Sequence, residues 1–69
     1  TDDETGIIIE VKYAQDADLD AQCRKALKQI EAAGYAKQLY DEGMRTVLKY
    51  GIACYKKRCR VVLEKEKLQ

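Results

Sequence analysis

Ile7-Ile8-Ile9-Glu10-Val11-Lys12 is the stretch that decides the fold, because every other element is placed relative to it. Its residues are β-branched almost throughout, and Gly6 bounds it on the N-terminal side. Apolar residues fall on both faces near its start, which is typical of a strand in the interior of a sheet. We therefore predict a β-strand over residues 7–12 that prefers a central position.

An amphipathic helix is predicted after the polar loop that follows this strand. From Leu19 onward, apolar residues recur every three or four positions and charged residues occupy the other side. Asp16 and Asp18 can each cap the free N–H groups at a helix start. Gly34 can adopt the left-handed conformation that commonly ends a helix. Both boundaries of the helix are thus marked in the sequence.

The second half of the chain predicts a short helical segment and a hairpin. Residues 35–42 form the helical segment, and residues 46–55 and 59–64 are rich in β-formers. The basic residues 56–58 leave room only for a chain reversal, so the two strands are predicted to be antiparallel. Residues 65–69 are predicted to be a polar tail.

The order strand, helix, strand, strand indicates the α/β class. A strand–helix–strand crossover places its two strands parallel with a right-handed connection. The hairpin then adds the third strand antiparallel, and the main helix covers one face of the mixed sheet. We predict a single β-α-β-β domain over residues 1–69.

The charge balance allows only a local basic site. Thirteen basic and twelve acidic residues leave a formal net charge of +1, which provides no strong steering toward nucleic acid or membrane. Lys56, Lys57, Arg58 and Arg60 cluster at the hairpin turn and could contact the phosphates of DNA or RNA. A charged turn that is only solvated is the alternative interpretation.

Several classes of protein are excluded by composition. The sequence has no apolar run long enough to span a membrane, and it has no His for a serine-hydrolase triad. Three cysteines without His do not provide a closed zinc site. Their odd number predicts reduced thiols in a cytoplasmic protein, each a small buried hydrophobic residue. Cys54 and Cys59 flank the predicted turn and could face one another.

Glu10 and Lys12 are the residues that could carry chemistry. One residue separates them, so on a strand both side chains leave the same face. A carboxylate can ligate Mg²⁺, and a neighbouring ammonium can stabilise the charge that grows on a phosphate in a transition state. A Glu-x-Lys triplet also occurs often by chance in exposed strands, so the triplet alone is a weak signal.

The wider context of the triplet resembles the PD-(D/E)XK nuclease superfamily over nearly the full chain, particularly the group fused C-terminally to AAA-ATPase-like proteins of bacteria. The resemblance is carried by Ile8-Ile9-Glu10-Val11-Lys12-Tyr13, Ala26-Leu27-Lys28-Gln29-Ile30, Gly34-Tyr35-Ala36 and Tyr50-Gly51-Ile52. It implies a restriction-endonuclease-like fold that hydrolyses phosphodiesters with Mg²⁺. In it Glu10 would be a metal ligand, Lys12 the catalytic lysine, and Gln29 a supporting residue.

The resemblance also implies that the chain is a partial domain. The family's second acid, an Asp on a preceding strand, has no counterpart here, so activity is expected in a full-length parent and not in this chain alone. The missing strand would leave residues 7–12 with an open edge, which predicts a homodimer or a strand exchange. A non-catalytic interaction module that has kept the fold, and a structural domain in which the triplet is incidental, are the two alternatives.

Overall fold

Two layers build the molecule: a three-stranded sheet, and two helices on one of its faces. The computed structural model describes residues 4–67. Its elements are β1 (Thr5–Tyr13), α1 (Leu19–Ala33), α2 (Tyr35–Asp41), β2 (Thr46–Tyr55) and β3 (Arg58–Lys67). β2 is the middle strand, with β1 parallel on one side and β3 antiparallel on the other. The predicted α/β class and mixed strand directions are confirmed.

The position of β1 agrees with one sequence-based expectation and differs from another. Among residues 4–67, β1 pairs with β2 alone and so forms an edge of the sheet. Ile7 and Ile9 are each 59% exposed and Val11 is 42% exposed, all on the face that carries no helix. The open edge expected of a partial domain is therefore present in the described chain, whereas the central position favoured by the apolar residues of this strand is not.

Both ends of α1 follow the local rules of helix capping. The side chain of Asp18 accepts a hydrogen bond from the backbone N–H of Ala21 at 3.1 Å. Asp16 instead accepts from the backbone N–H of Asp18 at 2.9 Å, which orders the loop before the helix. At the other end, Gly34 has a φ of 73° and its N–H donates to the carbonyl of Glu31.

The core lies where α1 packs on β2. The buried face of α1 is formed by Cys23, Ala26, Leu27 and Ile30, which contribute no charge to the interface. A Cβ placed on Gly51 would lie 2.6 Å from the backbone oxygen of Cys23 and 3.0 Å from Cγ of Leu27. Glycine at this position therefore allows α1 to lie directly against the middle strand.

The hairpin is longer than predicted. Lys56 and Lys57 form its turn, and Arg58 is already the first residue of β3. β3 continues to Lys67, which pairs with Thr46, so residues 65–67 are strand and not a polar tail. The ladder to β2 supplies hydrogen bonds that the polar sequence does not signal. Residues 68 and 69 of the predicted tail lie outside the described range.

The three cysteines occupy different environments. Cys23 is fully buried, as predicted, whereas Cys54 is half-buried and Cys59 is exposed. The prediction that each is a buried hydrophobic residue is thus wrong for the two hairpin cysteines, because they lie on the sheet face that no described helix covers.

Neither helix of the described chain combines the length and the apolar character that a membrane crossing requires.

Candidate active site

Glu10 and Lys12 lie side by side on the helix-covered face of β1. Their positions alternate with the exposed Ile9 and Val11, as the pleat of a strand requires. Nζ of Lys12 is 3.8 Å from Oε2 of Glu10, and the two side chains are 31% and 24% exposed. The predicted projection of an acid and an amine from one face is therefore present in the structure.

Small residues on β2 make room beside this pair. The parallel register places Glu10 opposite Gly51 and Lys12 opposite Ala53. Because these neighbours have at most a methyl side chain, α1 approaches the sheet closely and brings Gln29 to the rim of β1. Nζ of Lys12 donates a hydrogen bond to Oε1 of Gln29. The structure thus brings all three residues of the predicted site together.

The arrangement holds the Lys12 ammonium between two acceptors. An ammonium has three donors, and Gln29 accepts a hydrogen bond from one of them, so Lys12 retains capacity for another acceptor such as a phosphate oxygen. The Glu10 carboxylate likewise retains oxygen lone pairs for a cation. A partly exposed ammonium beside a partly exposed carboxylate is suited to bind an anionic substrate and a hard cation at adjacent positions.

A complete metal site is not formed by these residues alone. Within residues 4–67, no three side chains of the types His, Cys, Asp and Glu converge closely enough to hold an ion. Glu10 contributes one carboxylate, whereas Mg²⁺ in proteins is bound through carboxylates together with substrate phosphates and waters. The described residues therefore fit Mg²⁺ only in part.

The predicted basic cluster is exposed, but it is separate from Glu10 and Lys12. Arg60 forms an ion pair with Asp20 in the first turn of α1. Asp20 and Gln29 are nine positions apart, which places them on opposite sides of a helix with 3.6 residues per turn. α1 therefore separates Arg60 from the Lys12 ammonium.

The remaining basic residues extend past the carboxyl ends of β1 and β2. Lys56 Nζ lies 5.3 Å from the centre of the Tyr55 ring. β2 ends at Tyr55, two residues or about 7 Å along the strand axis beyond Ala53, the neighbour of Lys12, and Lys57 lies in the turn that follows. A cleft of about 560 Å³ separates the turn from the start of α1, and its charged lining residues are Asp18, Asp20, Lys57, Arg58 and Arg60.

A second charged cluster lies on the helix-covered face and was not predicted from the sequence. Lys49 on β2 is only 1% exposed, and its Nζ donates to Oε1 of Glu31 at 2.6 Å and to Oε1 of Glu66. Tyr40 donates to the other oxygen of Glu66 at 2.9 Å. The sequence signal that could have revealed this cluster was a lysine at a helix-facing position of a strand that is otherwise mostly apolar.

These contacts shift the ionisation of the cluster. Hydrogen bonds from Lys49 and Tyr40 lower the pKa of the Glu66 carboxyl. Burial alone would lower the pKa of Lys49, but hydrogen bonds to Glu31 and Glu66 outweigh burial, and the pKa is raised. Burial, followed by the hydrogen bond to Glu66, raises the pKa of Tyr40. Because the buried Lys49 ammonium is paired with two carboxylates, we interpret the cluster as structural.

Comparison with known proteins is consistent with the geometry of β1 and α1. No curated protein and no solved structure matches the chain. The family model of the PD-(D/E)XK nuclease superfamily matches residues 1–64, a range that includes Glu10, Lys12 and Gln29. Since this match spans most of the sequence, the chain belongs to the PD-(D/E)XK nuclease superfamily.

Proposed function

We propose that the chain carries the acid-and-lysine half of a metal-dependent nuclease active site. The observation that supports this most directly is the contact of the Lys12 ammonium with both Glu10 and Gln29 on the helix-covered face of β1. In this proposal Glu10 ligates the metal ion, Lys12 stabilises the charge that develops on the scissile phosphate, and Gln29 orients Lys12.

The metal ion in this proposal is Mg²⁺, which would neutralise charge on the phosphate when bound. A single carboxylate holds Mg²⁺ weakly, so a second acid must come from outside residues 4–67. The domain is accordingly proposed to be partial. The chain alone is expected to be inactive, and a full-length parent is expected to hydrolyse phosphodiester bonds.

The proposed substrate is DNA or RNA. Lys56, Lys57 and Arg58 are exposed at the β2–β3 turn, beyond the carboxyl end of the strand that pairs with β1, where they can follow a phosphate backbone. Arg60 contributes less to this proposal, because it is paired with Asp20. Fusion to an AAA-ATPase-like protein, a bacterial source and a cytoplasmic location stay predictions of the sequence resemblance.

Substitution of Glu10 and Lys12 tests the proposal in the full-length protein that contains this chain. Cleavage of DNA and RNA with Mg²⁺ is expected to fall by about 100-fold or more in Glu10→Gln and in Lys12→Met, because each removes charge at the reacting phosphate. Lys28→Met changes an exposed lysine on α1 and is the matched control. Unchanged cleavage in both site variants would exclude this function.

A non-catalytic interaction module is the second candidate, and the exposed side of the sheet favours it. Ile7, Ile9, Val61 and Leu63 are all more than half exposed on the face that carries no described helix. β1 also presents an open edge in the described chain. A homodimer or strand exchange through residues 7–12 would cover the open edge, and a partner on the apolar face would cover the exposed side chains.

A further inference from the structure

The two cysteines that flank the β2–β3 turn face each other directly. Cys54 and Cys59 are register partners, and their Sγ atoms are 2.7 Å apart. The carbonyl of Cys54 points toward β1, where it accepts a hydrogen bond from the N–H of Ala14 at 2.8 Å. Cys54 and Cys59 therefore form a non-hydrogen-bonded antiparallel pair, the type with the shorter Cα separation of about 4.5 Å.

This geometry meets the requirement for a covalent bridge. Disulfides join residues whose Cα atoms are about 4.4–6.8 Å apart and whose side chains point toward each other. Both cysteines lie on the sheet face that carries no described helix, and Cys59 is exposed to solvent. A small oxidant can reach it without any rearrangement of the fold.

We propose that Cys54 and Cys59 are a reversible redox site, in which a small disulfide such as oxidised glutathione converts the two thiols into a cross-strand disulfide. The bond would close a ring around the basic turn Lys56–Lys57 and fix the position of that turn. This inference is independent of the nuclease proposal, because it uses no residue of the Glu10 site.

The exposures of the two thiols set the order of the reaction. The Cys59 thiolate attacks one sulfur of oxidised glutathione, and the other glutathione leaves as a thiolate. Cys54 then loses its proton to solvent and attacks Sγ of Cys59, which releases the second glutathione. Two protein thiols are oxidised and one glutathione disulfide is reduced to two thiols. The hydrogen bond with Cys59 raises the pKa of the Cys54 thiol, which is consistent with its acting second.

Cys23 is a control contained in the same chain. It is fully buried under α1, and its thiol donates to the backbone carbonyl of Arg60 at 3.4 Å. It lies on the opposite face of the sheet from Cys54 and Cys59, so it cannot take part in the exchange while the protein is folded. Selective reaction of two of the three cysteines is therefore the signature of the proposed site.

The experiment equilibrates the full chain in buffers of graded reduced-to-oxidised glutathione ratio, quenches with acid and measures intact mass after alkylation. The wild-type chain is expected to lose two hydrogen atoms, to form no disulfide with a second chain and to keep only Cys23 for alkylation. Cys54→Ser is expected to accumulate a mixed disulfide between glutathione and Cys59, because nothing resolves it. Cys59→Ser is expected to react more slowly than Cys54→Ser, since the half-buried thiol would have to attack first.

Three outcomes would overturn the proposal. In the first, the wild-type chain stops at the mixed disulfide with glutathione. In the second, it forms disulfides between chains. In the third, it keeps all three thiols under conditions that modify Cys54→Ser. If circular dichroism shows that a serine variant is unfolded, peptide mapping of the oxidised wild-type chain tests whether Cys54 and Cys59 are joined. A peptide that joins Cys54 to Cys59 supports the site, and its absence at full oxidation rejects it.

Discussion

At the scale of single residues, Glu10 and Lys12 share a face because successive side chains of a strand point to opposite sides. This alternation of side chains follows from the extended backbone, so it holds in any tertiary arrangement in which residues 7–12 form a strand. The contact between Lys12 and Gln29 was different, because it depends on how closely α1 approaches the sheet. Only the family resemblance suggested a role for Gln29, and the structure then placed it beside Lys12.

Lys49 shows the limit of prediction from single residues. Its sequence neighbours Leu48 and Tyr50 indicate a strand, but its burial is acceptable only because Glu31 and Glu66 come from elements far away in the chain. A buried lysine without such acceptors would carry a large cost of desolvation. No local pattern contains that information.

The lowered pKa of Glu66 predicts acid sensitivity. A carboxyl whose pKa is lower in the folded than in the unfolded state stabilises the fold above its unfolded pKa, about 4.3 for Glu, and loses that contribution as pH falls through the folded pKa. We therefore expect the free energy of unfolding to decrease on acidification below about pH 5. Urea denaturation at a series of pH values measures this decrease.

Glu66→Gln isolates the contribution of this carboxyl. The variant is expected to be less stable than wild type at pH 7 and to show a weaker dependence on pH between 5 and 2.5, because about one titrating group has been removed. Glu42→Gln, an exposed glutamate at the end of α2, is the control and should keep the wild-type slope. A wild-type slope in Glu66→Gln would show that Lys49 and Tyr40 do not stabilise the charged form.

At the scale of elements, the helix boundaries and the hairpin could be predicted because their signals are local. Asp18 and Gly34 act on the backbone of α1 within a few residues, as capping residues do. The end of β3 could not be predicted in this way. Residues 65–67 are all charged and carry no strand pattern, and they are extended because β2 provides a ladder for them.

The packing of α1 on β2 gives a prediction at Gly51. Gly51→Ala is expected to destabilise the protein by about 2–3 kcal/mol, because a Cβ 2.6 Å from the backbone oxygen of Cys23 forces the helix away from the strand. Displacement of α1 would also move Gln29 away from Lys12. Chemical denaturation measures the loss, and amide chemical shifts of α1 report the displacement.

Gly6→Ala is the matched control, because it adds the same methyl group at the neighbouring strand. The nearest atom there is Cδ1 of Leu39, the end of a flexible side chain that can change rotamer. Its cost is expected to stay below about 1 kcal/mol. Equal destabilisation by the two substitutions would mean that close contact between α1 and β2 is not the reason for glycine at position 51.

At the scale of the whole molecule, the described chain is thin for its length. Its principal extents are 38 × 25 × 15 Å, and its radius of gyration is 13.0 Å. A compact single domain of this length has a radius of gyration of about 11 Å. The difference arises because the helices cover one face of the sheet, and within residues 4–67 nothing covers the other. The sequence-based prediction placed the main helix on one face of the sheet, and the structure agrees with it.

The uncovered face is organised as rows of apolar residues across the three strands. One row joins Ile9, Tyr50 and Leu63, and the next joins Val11, Ile52 and Val61. Adjacent rows produce a continuous apolar patch beside the open edge of β1. Continuous patches of this kind are uncommon on proteins that stay monomeric.

We therefore expect the chain to self-associate. Sedimentation equilibrium over a range of concentrations should give an average mass that rises from 7.9 kDa toward twice that value. Ile9→Lys places a charge inside the patch and beside the β1 edge, so its average mass should stay at that of the monomer. Lys25→Glu, on the exposed side of α1, should associate like wild type.

The same samples identify the surface that forms the dimer. Pairing through the β1 edge would protect the amide hydrogens of residues 7–12 that point away from β2, and this protection would grow with concentration. Face-to-face contact would leave those amides unchanged and would bury Val61 and Leu63 instead. A wild-type chain that remains monomeric at the highest concentration would show that a sheet of this kind tolerates an uncovered apolar face, and it would remove the reason for proposing either contact.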